Sequence, residues 1–279
     1  MKQPYTLARL LYTLLAFALS ACSLLSTGEF EQLSPEQTGI DFANRVKPTS
    51  ELNILNYLYF YNGGGVGVAD LNGDGLKDVV FSSNQEKNRL YINEGNFQFA
   101  DESHRIDEGE RQGMKWTTGV SIADVNADGK LDIYFLEVGS YLNIYGSNKL
   151  FINQGNDKNG LPIFKEEGKK YGLDLVGFGT QAVFFDYDRD NDLDLYVLNH
   201  SVHANGTFGR SDLRDKSHPL AGDRFFRNDN GKFKDITEEA GIYNSALGYG
   251  LGIGISDLNN DGWPDLYIGN DFHEDDYLY

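Results

Sequence analysis

The apolar residues of this chain come in short runs, each set between clusters of Asp, Asn and Gly. Val66-Gly-Val-Ala69 and Val79-Val-Phe81 flank residues 70–78; Ala182-Val-Phe-Phe185 and Leu195-Tyr-Val197 flank residues 186–194. β-Branched and aromatic runs bounded in this way predict strands joined by turns. A second pattern follows each such pair. Asn88-Arg-Leu-Tyr91-Ile-Asn93 matches Asn148-Lys-Leu-Phe151-Ile-Asn153 and Asp223-Arg-Phe-Phe226-Arg-Asn228, and a Phe-centred strand comes next at Phe97-Gln-Phe99, Phe164-Lys165 and Phe233-Lys234. The expected unit is four short strands. Its first turn begins at residues 70, 124, 186 and 257, so the spacing grows from 54 to 62 to 71 residues. A four-stranded unit at this period predicts an all-β propeller, whose blades bury their faces on one another.

About four blades are expected over residues 30–279, as one domain and as an incomplete ring. Asp276-Tyr-Leu-Tyr279 aligns with Asn88-Arg-Leu-Tyr91, which puts the last residues in the third strand of a fourth blade. Phe30-x-x-Leu33-Ser34 with Gly39-Ile40 matches Phe233-x-x-Ile236-Thr237 with Gly241-Ile242, the end of a repeat. An N-terminal strand completing the last blade is therefore expected, with unpaired edges that invite association.

The turns carry the chemistry. At residues 70–78, 124–132, 186–194 and 257–265 an acid stands at positions 1, 5 and 9, Asn or Asp at position 3, and Gly or Asn at position 6. Alternating oxygens on a tight loop suit Ca²⁺, which takes six to eight oxygen ligands. Position 6 requires a sharp turn, best met by Gly and next by Asn. The expected ligand sets are Asp70, Asn72, Asp74, Leu76 and Asp78; Asp124, Asn126, Asp128, Lys130 and Asp132; Asp186, Asp188, Asp190, Asp192 and Asp194; and Asp257, Asn259, Asp261, Trp263 and Asp265. An EF-hand is excluded: position 12 is Phe81, Phe135, Val197 or Ile268 in place of the bidentate Glu, and the flanks read as strands, not helices. At about 10⁻⁴ M affinity and about 1 mM Ca²⁺, each site adds roughly 1.4 kcal/mol. Four sites together rival the roughly 5–15 kcal/mol stability of a domain, so about four structural Ca²⁺ ions are expected.

The ends and the charge place the protein. Residues 1–21 carry Lys2 and Arg9 and an apolar run too short to span a bilayer, the form of a secretory signal peptide. The run ends Leu19-Ser20-Ala21-Cys22, which resembles a bacterial lipobox; Cys22 is then the lipidated first residue and 22–29 a tether. Cys22 is the only cysteine, so no intrachain disulfide is available. A formal charge of −18 gives no footprint for nucleic acid.

The D-x-[DN]-x-D-G-x-x-D loops and the Asn-x-Leu-Tyr-x-Asn strands resemble the FG-GAP/VCBS repeat family, integrin-like propellers with calcium loops. The nearest likeness is to bacterial envelope members of the ASPIC/UnbV, cartilage-acidic-protein-like group. The resemblance covers about residues 30–279 and implies a full ring of seven blades.

In an antiparallel meander the four loops share one face, and the insertions fall on the other. The insertions at about 102–118, 138–147, 200–222 and 271–276 bring Tyr141, Tyr145, His200, His203, Phe208, Arg210, Arg214 and His273 to that face, with His218 beside them. Long loops on a rigid scaffold are usual binding places, so this is the expected ligand face. His200 and His203 read as surface histidines rather than as a metal pair. Neither Gly-x-Ser-x-Gly nor a P-loop is present. The expectation is a non-catalytic, calcium-stabilised glycan- or protein-binding adhesion scaffold of an outer-membrane lipoprotein. The alternative is a polysaccharide-acting enzyme or accessory domain with its site on the face opposite the calcium loops.

Overall fold

The structure is a computed structural model and describes residues 30–107, 109, 113–202, 211–271 and 274–279. The signal segment, Cys22, His203, Phe208, Arg210 and His273 lie outside the described residues. Residues up to Thr38 form a unit separate from Gly39–Tyr279. Within the first unit, residues 30–34 contain no strand and Pro35–Thr38 is one helical turn. The Ser34 N–H donates to Gln37 Oε1 (2.9 Å) and the Gln37 N–H to Ser34 Oγ (3.4 Å), a reciprocal cap that favours helix over the expected strand.

Residues 39–279 carry four antiparallel sheets, each a simple meander. Blade 1 comprises β1 (Val66–Ala69), β2 (Asp78–Phe81), β3 (Arg89–Gly95) and β4 (Gln98–Asp101). Blade 2 comprises β5 (Thr117–Ala123), β6 (Asp132–Glu137), β7 (Lys149–Asn156) and β8 (Pro162–Glu166). Blade 3 comprises β9 (Gly179–Phe185), β10 (Asp194–Asn199), β11 (Arg224–Asn228) and β12 (Phe233–Asp235). Blade 4 has β13 (Gly250–Ser256), β14 (Asp265–Asn270) and β15 (Tyr277–Leu278). Successive inner strands lie side by side, β1 against β5, β5 against β9 and β9 against β13, giving a propeller arrangement of four blades. Phe97, expected in a strand, instead shares a left-handed hairpin turn with Asn96 (φ 58° and 52°) and is exposed. Both central positions of a type I′ turn need positive φ, and the register of β3 with β4 puts these two residues there.

The second strand of each interior blade shows why the apolar runs are continuous. Alternate residues of β6 face different neighbours: Ile133 and Phe135 pack with Val80, Leu90 and Ile92 of blade 1, whereas Tyr134 and Leu136 pack with Leu195, Val197 and Phe226 of blade 3. Both faces are buried, so β6 and β10 are buried at every position. Blades 3 and 4 meet through Tyr196, Leu198 and Phe225 against Leu266 and Ile268.

A fourth cluster fills the hub. Leu52, Tyr57, Tyr59 and Phe60, from the segment before β1, pack with Trp116, Val138, Ile144, Phe178, Val202 and Tyr249. Trp116, Phe178 and Tyr249 directly precede the inner strands of blades 2, 3 and 4, so this plug sits at the strand ends remote from the acidic turns. No helix among the described residues is long and apolar enough to cross a membrane.

Candidate functional site

The four acidic turns fold alike. The position-1 carboxylate accepts the N–H groups of positions 5 and 6: Asp70 from Asp74 and Gly75 (3.1 and 2.8 Å), and Asp124 from Asp128 and Gly129 (3.0 and 2.8 Å). Asp186 takes the N–H groups of Asp190 and Asn191 (both 3.1 Å), and Asp257 those of Asp261 and Gly262 (3.1 and 2.9 Å). Position 6 is left-handed throughout, at Gly75 (87°), Gly129 (82°), Asn191 (74°) and Gly262 (87°). Position 4 is left-handed as well, at Gly73, Ala127, Arg189 and Asn260, although its residue type varies. Two reversals on one short loop turn the side chains of positions 1, 3 and 5 inward.

Position 9 is anchored differently. Asp78, Asp132 and Asp194 are fully buried, and each binds two backbone N–H groups. One comes from position 2: Leu71 to Asp78, Val125 to Asp132 and Tyr187 to Asp194 (2.8–2.9 Å). The other comes from the last Asn of the second motif: Asn93, Asn153 and Asn228 (2.8–2.9 Å). The side-chain amides of the same asparagines donate to the position-8 carbonyls of Lys77, Leu131 and Leu193. These three asparagines therefore hold the acidic loops in place, a role that sequence reading left unassigned. Their recurrence as the last residue of the second motif was the available signal, although they follow the position-9 aspartate by 15, 21 and 34 residues.

The residues suit a hard cation. Asp186, Asp188 and Asp194 each bring a carboxylate oxygen within 4.8 Å of the others. Asp188 Oδ1 and Asp192 Oδ1 are shielded from solvent with no hydrogen-bond partner, as oxygens awaiting a cation would be. Burial, with the neighbouring loop carboxylates, pushes Asp132 and Asp194 each up to about 6 and raises Asp78. Such uncompensated charge is what a divalent ion offsets. In the other loops Asn72, Asn126 and Asn259 stand where the third has Asp188, and the Nδ2 of each donates to the position-5 carboxylate (3.0–3.3 Å). Leu76, Lys130, Asp192 and Trp263 hold position 7, each with its N–H donating to the position-5 carboxylate (2.8–3.0 Å).

The opposite face differs from a free binding surface. His200, read from sequence as a surface residue, is 1% exposed. Its Nε2 lies 3.2 Å from Tyr57 Oη and its Nδ1 3.0 Å from Thr180 Oγ1, with the Tyr59 ring 4.0 Å away centroid to centroid. The plug segment covers it, and burial pushes it down to about 3, leaving a neutral ring. Tyr141 is drawn to the same place, its hydroxyl donating to the Asn56 carbonyl. Arg214 pairs with Glu274 (3.2 Å), and His218 Nδ1 accepts the Leu220 and Ala221 N–H groups. Tyr145 is exposed.

A cleft of about 840 Å³ opens on the loop face between blades 2 and 3. Asp124 to Ala127 and Asp190 to Leu193 form two walls, and Lys170, Tyr171, Asn228, Asn230 and Lys232 form the rest.

Parts of this chain are similar to known proteins. Residues 70–135 match the FG-GAP-like repeat. Mouse cartilage acidic protein 1 is 30% identical over 142 residues, which is 50% of this chain and 21% of that protein; the human protein gives the same identity over 20% of its length. The chain thus spans about a fifth of the curated relatives it matches. Among solved structures, the Vibrio cholerae biofilm matrix protein Bap1 matches 73% of this chain and 23% of its own at 15% identity, with a TM-score of 0.33. An Agrocybe aegerita lectin, solved for its recognition of non-reducing terminal N-acetylglucosamine, matches 72% of this chain and 45% of its own at 17% identity and a TM-score of 0.36. Residues 70–135, which hold the first two of these loops, are thus similar to the FG-GAP-like repeat, and the four sheets are arranged as propeller blades.

Proposed function

We propose that the chain is a calcium-stabilised, non-catalytic scaffold that binds a glycan, held at the bacterial envelope through lipidated Cys22. The loop-face cleft carries this reading. Its volume suits a short saccharide, and its lining of amide, carboxylate and ammonium groups around Tyr171 offers hydroxyl recognition and one aromatic platform. With Ca²⁺ in the second and third loops the wall carboxylates are balanced, and Lys170 and Lys232 then favour a neutral or acidic sugar. The binding face therefore moves from the insertion side to the calcium side. A protein ligand is the other reading, favoured by exposed Tyr145 beside Gly113 on the plugged face.

The test is calorimetric titration of neutral and uronic-acid oligosaccharides into the protein with and without Ca²⁺. Calcium-dependent binding lost in Tyr171→Ala and Lys232→Ala but kept in Tyr145→Ala supports the cleft. Binding lost only in Tyr145→Ala transfers the site to the other face. Turnover of the oligosaccharide would establish an enzyme instead.

A further inference from the structure

The third acidic loop departs from the other three at position 7. Asp192 stands there, where the others have Leu76, Lys130 and Trp263. The turn between β11 and β12 departs as well. In blades 1 and 2 the closing Asn of the second motif accepts, through Oδ1, the N–H two residues on: Gly95 donates to Asn93 and Gly155 to Asn153, both at 2.9 Å. In blade 3 Asn228 Oδ1 takes the N–H three residues on, that of Gly231 (2.7 Å). The turn thus carries one residue more between the Asn and the glycine, which leaves the N–H of Asn230 to find its own acceptor. Asp192 Oδ2 supplies it at 2.9 Å. The two departures meet in one hydrogen bond.

The other oxygen of Asp192, Oδ1, is shielded from solvent and has no hydrogen-bond partner, and the same holds for Asp188 Oδ1 in this loop. Residues 186–194 carry five carboxylates where each of the other loops carries three. Without an ion, charges this close repel one another, and none of them keeps a fixed place. Asp192 also lines the loop-face cleft, together with Asn228, Asn230, Gly231 and Lys232 of the β11–β12 turn. One carboxylate therefore stands between the acidic loop and the cleft wall.

We propose that Asp192 is a positioning residue that couples a Ca²⁺ ion in the third loop to the cleft wall, Oδ1 serving the ion and Oδ2 holding the Asn230 N–H. Ca²⁺ offsets the loop's charge and thereby fixes the acceptor on which the turn depends. The turn bearing Asn230 and Lys232 is ordered with the ion and loosens without it. The first, second and fourth loops have no carboxylate at position 7, so their ions steady the hairpin alone. The calcium dependence of ligand capture is thereby assigned to one loop of the four. That consequence rests on the cleft being the ligand site, whereas the coupling itself does not.

Amide hydrogen exchange of the full chain, in Ca²⁺ alone or in excess EGTA and with no saccharide present, tests the coupling. In the wild-type chain Ca²⁺ should slow exchange of the Asn230 amide about 10-fold. Asp192→Leu carries the side chain that the first loop has at this position. There the Asn230 amide should exchange fast in both conditions, while Gly75 and Gly129, inside the first and second loops, keep their wild-type response to Ca²⁺. Asp192→Asn, which retains an acceptor, should restore protection of Asn230 in Ca²⁺. An Asn230 amide indifferent to Ca²⁺ in the wild-type chain overturns the proposal. So does a response in Asp192→Leu equal to the wild-type one, or an Asp192→Asn chain that behaves as Asp192→Leu does. Each of these results leaves the saccharide reading of the cleft standing; that reading falls if saccharides fail to bind a chain whose Asn230 amide does respond.

Discussion

The guanidinium of Arg189 lies 4.1 Å from the ring centroid of Trp263, joining the third acidic loop to the fourth. Arg189 is the left-handed position 4 of its loop, and Trp263 is position 7 of the next. A cation–π contact of about 0.5–2 kcal/mol makes the two loops sense each other's order. Trp263 emission should therefore respond to Ca²⁺, since Trp116, the other tryptophan, is buried in the hub. Arg189→Ala should weaken the apparent affinity of the coupled pair about 2- to 30-fold in a fluorescence titration. Superimposable curves would show that the loops act independently.

Removing calcium should loosen the blades. Four sites at roughly 1.4 kcal/mol each correspond to a melting-temperature loss of about 10–20 °C in excess EGTA. Scanning calorimetry with Ca²⁺, Mg²⁺ or chelator checks this, and Mg²⁺ should not substitute because the loops supply a flexible, many-oxygen shell. Asp186→Ala should remove one equivalent in a calcium titration and leave the other loops binding. An unchanged stoichiometry would place the ion elsewhere.

Two buried groups give opposite acid responses. Asp223 stands where blades 1 and 2 have Asn88 and Asn148, and burial pushes it up to about 7. It binds the Asn199 N–H and the Tyr196 hydroxyl, both at 2.8 Å. The folded chain holds this proton after the unfolded chain has released it, so stability is lost as pH rises from about 4 to 7. His200, held neutral by burial down to about 3, works the other way: the unfolded state takes up its proton first, and stability is lost as pH falls from about 6.5 to 3. Asp223→Asn should stabilise the fold at pH 8 by about 1–3 kcal/mol and leave the His200 slope exposed below pH 6.5. Melting temperatures of both proteins from pH 4 to 8 decide it; parallel profiles would remove Asp223 from the account.

The hub should be costly to disturb. Phe60→Ala deletes a fully buried ring packed 5.1 Å from Trp116 and should cost about 3–5 kcal/mol in urea unfolding. Tyr57→Phe should cost about 1 kcal/mol by taking the partner from His200 Nε2. If both were neutral, the plug would be peripheral to stability.

The blades and loops were legible because their signals are local. Short apolar runs, turn formers and the Asn that closes each second motif all lie within one repeat. What depends on contact between repeats was not. The burial of His200 and Tyr141 arises from a segment near residue 57, and the left-handed position 4 accepts Ala127 and Arg189 as readily as Gly73, so composition does not mark it. The capped turn at Ser34–Thr38 and the Asn96-Phe97 turn were likewise hidden, since Phe-centred stretches read as strand in isolation. The loop-side cleft exists only once blades 2 and 3 stand together.

The hub also orders events in time. Tyr57 meets His200 across 143 positions of chain, and the same plug touches Tyr249 farther on. A ribosome releases the plug before any blade exists, yet its seat is complete only after the inner strand of blade 4 has formed. Closing so long a loop is slow, and the plug is expected to seat late. Until then its aromatic residues stand in water, and a nascent chain of this kind needs a holdase while its later blades are still being made.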